Sequence, residues 1–306
     1  MKIVLFVFQL LSLNAFSQNA DSIISKASLY NTVSFLSSDS LKGRLTGSLS
    51  STIAANFIKE YFKENNVRPI SVFPDYYDSF KLPRNIQGLN VIGAVPGYGS
   101  DSLIIISAHY DHIGKGKTYL TQKDTKKNDD IYNGANDNAT GVAAMLEIAK
   151  YYAVNRQNYY TILFVAFSAE ELGMIGSAHF INNMENPGVI KAVINLEMLG
   201  RPDNTKQCFY AGIVSPKIIR GFNKNVKKNY KQRNFLVEDI YPEQKLDLRS
   251  DHYSFMYKVP AAFTIMATSP YDEHYHSVTD EVATIDFDFL LEVTNKIATC
   301  IKYFGN

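Results

Sequence analysis

Residues 161–167 (TILFVAF) form a continuous apolar run. A strand with no polar alternation must be buried on both faces. Residues 103–107 repeat the pattern, and 189–196 are again β-rich. Between them residues 141–152 carry helical spacing, with Val142, Met145, Leu146 and Ala149 on one side, and 175–184 also read as helix. A strand candidate at 89–95 precedes this block. Strands at 208–213, 235–240 and 261–266 follow it, with a closing helix over 285–303. Apolar strands alternating with helices predict an α/β fold: a central, mostly parallel mixed β-sheet flanked by helices on both faces. Residues 21–67 predict two further helices around a turn at 39–47, where Gly43 and Gly47 break the periodicity.

With 306 residues the chain can build one large core, and a single domain over residues 18–306 is expected. A net charge of +1, with Lys and Arg spread along the chain, argues against nucleic acid as a partner. The first residues differ. Met1-Lys2, an apolar run over 3–13 and small residues at 15 and 17 have the order of a secretory signal peptide cleaved before Gln18, so a secreted or periplasmic protein is expected. No later segment is long and apolar enough to span a membrane. Cys208 and Cys300 are too few for a thiolate metal site, and their spacing does not say whether they pair. Residues 114–133 read as a long polar loop, either a cover for a site or a surface insertion.

Open α/β sheets bind ligands beyond the carboxyl ends of their strands. The strand at 103–107 runs into His109 and Asp111, which point the same way in extended chain, so the carboxylate can hold the imidazole. Asp137 precedes the helix at 141, as a cap or as a metal ligand. Glu170 and Glu171 end the strand at 161–167. Adjacent side chains diverge, so one can bind metal while the other faces a water, as metal-assisted hydrolysis requires. Glu197 follows an apolar run and needs a partner for its charge. His276 lies after the strand at 261–266, with His274 nearby. Singly, each residue is as readily a cap, a solvated acid or a loop histidine. Together they are a set of imidazoles and carboxylates collected at one sheet edge, which suits paired zinc ions.

The stretches SAHYDHIG (107–114), NGANDNATG (133–141), FSAEELGMIGS (167–177), NLEMLGR (195–201), SDHYSF (250–255) and YHSVTD (275–280) resemble, in order, the co-catalytic di-zinc exopeptidases of clan MH, which include bacterial leucyl aminopeptidases and glutamate carboxypeptidase. The similarity reaches back to Gly43-Arg44, Gly47-Ser48 and residues 90–93. The resemblance implies two zinc ions. His109 and Glu197 bind the first, Glu171 and His276 the second, and Asp137 bridges them. It also implies Glu170 as general base and Asp111 as the group that orients His109. Glu197 departs from the family, which usually has Asp there. The added methylene displaces the carboxylate by about 1.5 Å, more than a metal–ligand distance tolerates unless the backbone compensates.

The implied activity is an aminopeptidase acting on peptides through a metal-activated water. Two other readings stay open. Glutaminyl cyclases share the fold with a single zinc, but they place Trp around the substrate and this chain has none. A non-catalytic binding ectodomain would not need the Glu170–Glu171 pair. A carboxypeptidase would need a cation for the substrate carboxylate, and Arg201 and Arg249 are the candidates.

Overall fold

The computed structural model describes residues 23–116, 129–301 and 304. The expected signal peptide and the centre of the 114–133 loop lie outside these residues.

Two helices open the described chain. Helix α1 (Lys26–Leu36) is capped by the Ser25 hydroxyl, which accepts from the Ser28 amide at 3.4 Å. A short 3-10 turn (Asp39–Arg44) leads to α2 (Leu49–Glu64), capped in the same way by Ser48. The chain then alternates through β1 (Tyr77–Lys81), β2 (Gln87–Val95), β3 (Ser100–His109), α3 (Gly141–Asn155), β4 (Tyr160–Phe167), α4 (Ile175–Asn182) and β5 (Ile190–Glu197). It closes with β6 (Cys208–Ile213), α5 (Pro216–Tyr230), β7 (Leu236–Glu238), β8 (Ala262–Met266) and α6 (Phe287–Ile301).

The strands form one eight-stranded sheet in the order β1-β2-β4-β3-β5-β8-β6-β7. The central strands β4, β3, β5 and β8 are mutually parallel. Antiparallel partners flank them. The pleat divides the apolar runs between two cores. Ile162, Phe164 and Ala166 of β4 face one side, against α1, α2, α3 and α6, while Leu163, Val165 and Phe167 face the other, with Phe180 of α4 and Phe255. This two-sided burial is the physical reason the central strands carry continuous apolar runs. Because the four central strands are parallel, their carboxyl ends share one edge. There His109 pairs with Phe167 and Glu197 with Met266 in register.

Two elements had no counterpart in the sequence reading. β1 is a short antiparallel edge strand with alternating burial, and α5 is a Lys- and Asn-rich helix that buries only Ile219, Phe222, Asn225 and Val226. Cys208 and Cys300 are both buried thiols and are not bonded to each other. The two flanks of the 114–133 loop pinch together, with Lys115 bridged to Ile131 and the Gly116 amide donating to Asp130 O at 2.7 Å. Gly43 anchors this neck. It has φ of +69°, and a Cβ there would lie 2.2 Å from Gly114 O, so only glycine fits.

Candidate metal centre

Four carboxyl-terminal strand ends and the loops beyond them build the site. β3 supplies His109 as its last residue, and β5 supplies Glu197 in the same way. Glu170 and Glu171 follow β4, and His276 comes from the long connection after β8. Asp137 lies in the tight turn before α3, where it joins Asn138 through a cis peptide bond.

That turn is fastened on every side. The Asn138 amide donates to Leu196 O at 2.8 Å, and its Oδ1 accepts from the amides of Gly141 and Met198, both at 3.1 Å. Asn136 Oδ1 accepts from the Gly200 amide at 2.7 Å. The Asp280 carboxylate receives the main-chain amides of Asn136 and Asp137 at 2.9 and 3.0 Å. Arg201 in turn clamps Asp280 through Nη1 at 2.6 Å and Asp272 through a two-pronged contact at 2.9 Å. Arg201 is therefore engaged in holding the scaffold, whereas Arg249 lines the pocket itself.

Asp137 splits its carboxylate between two groups of ligand candidates. Its Oδ1 lies 3.3 Å from His109 Nε2, and its Oδ2 lies 3.3 Å from His276 Nε2. On the first side His109 Nε2 is also 3.1 Å from Glu197 Oε1. On the second side His276 Nε2 is 3.1 Å from Glu171 Oε2. Within each group the donor atoms lie within 4.8 Å of one another. Two ligands at bond lengths of 2.0–2.2 Å and a tetrahedral angle sit about 3.4 Å apart, so the observed spacing suits divalent zinc, as does an oxygen and imidazole donor set without thiolate.

The extra methylene of Glu197 is absorbed locally. Its Oε1 reaches the cluster while Oε2 accepts from Ser250 Oγ at 2.7 Å. Asp111 serves His109 differently from the sequence expectation. The His109 Nδ1–H donates to the main-chain carbonyl of Asp111 at 3.2 Å, which leaves Nε2 free to act as a ligand, and the carboxylate is farther away at 3.8 Å. That carboxylate instead accepts from Thr46 Oγ1 at 3.0 Å and the Glu170 amide at 3.1 Å, so it fixes the backbone that carries Glu170.

The electrostatics follow from crowding. Burial and the neighbouring carboxylates of Glu171, Asp251 and Glu197 push Glu170 well above the usual carboxylate range, with His109 opposing. Against the cost of burial, Glu197 and Glu170 raise His109 well above an ordinary histidine. Against burial and the charge of Asp137, hydrogen bonds from His112 and His276 hold Glu171 at about 2. Asp251, wholly buried beside the cluster, is pushed up to about 7 by burial, with the charge of His109 opposing. The field of this site favours cations.

Three participants were not singled out by sequence reasoning. His112, three residues beyond His109, is wholly buried, with Nδ1 2.8 Å from Glu171 Oε1. Arg44 is also wholly buried. It donates to Tyr110 O at 2.8 Å, Asn133 O at 2.6 Å and Gly134 O at 3.0 Å, tying the exit of β3 to the Asp137 segment. Ser250 holds Glu197. His274 stays outside the cluster, bonded to Thr279. A small pocket of about 40 Å³ opens over the site, lined by His109, Asp137, Glu170, Glu171 and Glu197 together with Met198, Leu246, Met266 and Tyr275.

Comparison with known proteins agrees with this geometry. The chain is 30% identical over 195 residues to the "Alkaline phosphatase isozyme conversion protein" of Escherichia coli (strain K12), covering 60% of this chain and 54% of that protein. It is 26% identical over 238 residues to "Leucine aminopeptidase 2" of Trichophyton rubrum, covering 71% of this chain and 44% of that one. The chain thus spans about half the length of the curated relatives it matches. The fold matches a zinc aminopeptidase from Bacillus subtilis, BSAP, with a TM-score of 0.72 and 14% identity over 92% of this chain and 95% of that one. It also matches Porphyromonas gingivalis glutaminyl cyclase, with a TM-score of 0.71 and 16% identity over 92% of this chain and 99% of that one. Residues 90–301 match the profile of peptidase family M28, and the chain belongs to that family.

Proposed function

We propose that this protein is a zinc-dependent aminopeptidase that removes N-terminal residues from peptides. The observation that carries the reading is the divided carboxylate of Asp137, with Glu170 on the wall of the same pocket. His109, Asp137 and Glu197 would hold one zinc, and Asp137, Glu171 and His276 a second. Bound zinc supplies Lewis-acid polarisation of a carbonyl and a lowered pKa for water.

The chain's own residues do the rest. Glu170 takes the proton of the attacking water on its carboxylate and returns it to the leaving amine, a role suited to a carboxyl whose pKa lies well above the ordinary range. The Asp111 carboxylate holds the amide of Glu170 and so fixes the base. Met198, Leu246 and Met266, the apolar residues lining the pocket, receive the side chain of the residue removed, and the pocket's carboxylates suit a free α-ammonium group. The similarity to a protein named leucine aminopeptidase and to a zinc aminopeptidase structure supports the same activity. Residues 1–17 would export the chain, leaving a single peptidase domain over 18–306. Among the described residues no helix is long and apolar enough to cross a membrane.

The test uses the purified chain, zinc, and peptides with free or acetylated N-termini, read by mass spectrometry. The expected result is stepwise loss of N-terminal residues from the free peptides alone, abolished by a chelator. C-terminal loss from both sets would assign a carboxypeptidase instead. Loss of ammonia from peptides beginning with Gln, without cleavage, would assign a cyclase.

A further inference from the structure

The second group of ligand candidates contains one more donor than the mechanism above uses. His112 Nδ1 lies 2.8 Å from Glu171 Oε1 and 3.8 Å from Asp137 Oδ2, on the same side of Asp137 as His276. Its donor atom and those of Asp137, Glu171 and His276 all fall within 4.8 Å of one another. The ring is wedged in place. It meets the His276 ring edge-on, with centroids 5.6 Å apart, and a Cβ on Gly134 would lie 2.6 Å from it. Its other ring nitrogen is buried and has no hydrogen-bond partner among the described residues, so the cluster is the ring's one polar engagement.

We infer that His112 is a fourth protein donor at the metal position of Asp137, Glu171 and His276, which closes that position and leaves the open one at His109, Asp137 and Glu197. This rests on the zinc reading of the cluster. Two imidazoles and two carboxylates satisfy a tetrahedral divalent ion completely, as in closed structural sites, while three protein donors leave the fourth position that catalytic sites keep free. The pocket agrees with this division. All three donors of the open position, His109, Asp137 and Glu197, line it, whereas of the closed one only the carboxylates Asp137 and Glu171 do and neither His112 nor His276 does. The position held by His109, Asp137 and Glu197 would then be the one with room for water or a substrate oxygen, and the closed one would hold Asp137 and Glu171 in place. A positioning role, in which His112 only donates to Glu171, is the competing account.

The two accounts separate in the metal-free chain reloaded with two equivalents of cobalt(II). Each metal-bound imidazole contributes one exchangeable N–H proton shifted far outside the normal spectrum. Ligation by His112 gives three such signals in the wild type and two in H112Q. It also lowers zinc retention by H112Q against a competing chelator beyond the about 10- to 100-fold that loss of an outer hydrogen bond costs. Two signals in the wild type with both equivalents bound would overturn the inference. So would wild-type zinc retention by H112Q, in which the glutamine amide remains able to donate a hydrogen bond. If cobalt produced no shifted signal, the metal reading would itself fail, a distinct result.

Discussion

Glu197 places Oε1 3.1 Å from Nε2 of His109 while its Oε2 is held by Ser250, so a side chain one methylene longer than the family's usual aspartate still joins the ligand candidates His109 and Asp137. The Ser250 hydroxyl, which holds the other oxygen, helps to set this reach. Glu197→Asp should withdraw the carboxylate from both partners and weaken zinc binding at that position. Ser250→Ala should lower the affinity about 10- to 100-fold, as expected for an outer partner of a ligand. Zinc titration of both variants checks this. Unchanged affinity in both would show that the reach is not tuned.

Glu170→Gln should keep its zinc and lose about 10²- to 10⁴-fold in kcat, the usual contribution of a positioned general base. The Gln keeps the shape of the side chain, and Glu170 belongs to neither ligand group that Asp137 joins, although its carboxylate comes within 4.8 Å of the donor atoms of His109 and Glu171. Steady-state kinetics with a parallel zinc assay separates the two effects, and a variant that retains its kcat would remove Glu170 from the chemistry.

Arg44 holds three main-chain carbonyls of the site at 2.6–3.0 Å from full burial. Arg44→Met should strand those acceptors and cost at least about 3 kcal/mol in denaturant unfolding. Arg44→Lys should not restore the loss, because a single ammonium cannot reproduce the planar fork. Recovery in the lysine variant would show that charge alone matters.

His252 is wholly buried, and burial lowers its pKa from 6.5 to about 3. The folded ring refuses a proton that the unfolded chain accepts, so stability should be lost as pH falls from 6.5 towards 3. His252→Phe has no such group. With chelator present throughout, its unfolding free energy should fall less between pH 7 and pH 5 than that of the wild type. Parallel curves would contradict the burial argument.

The parallel core and the edge that carries the site were legible because burial on both faces forces apolar runs, and each run ends in a polar residue that its strand does not need. His109, Glu171 and Glu197 could be read in this way, Asp137 from its place before a helix and His276 from the loop after a strand, and the structure brings all five together. β1 was not legible, because an edge strand with the sequence YDSFK buries only alternate residues. Nor was α5, whose lysines and asparagines outweigh the few residues it buries. The role of Arg44 was not legible either, since its partners are carbonyls distant in sequence and carry no side-chain signature. His112 lies three residues past the end of β3, in neither strand nor helix, so only the folded turn reveals which way it faces.

The central claim is that Asp137 joins two metal positions, and counting zinc tests it most directly. Wild-type protein dialysed against zinc and analysed by inductively coupled plasma mass spectrometry should hold two equivalents per chain, and Asp137→Ala should lose both. One equivalent in the wild type, or an Asp137→Ala variant that keeps its full complement, would contradict the account.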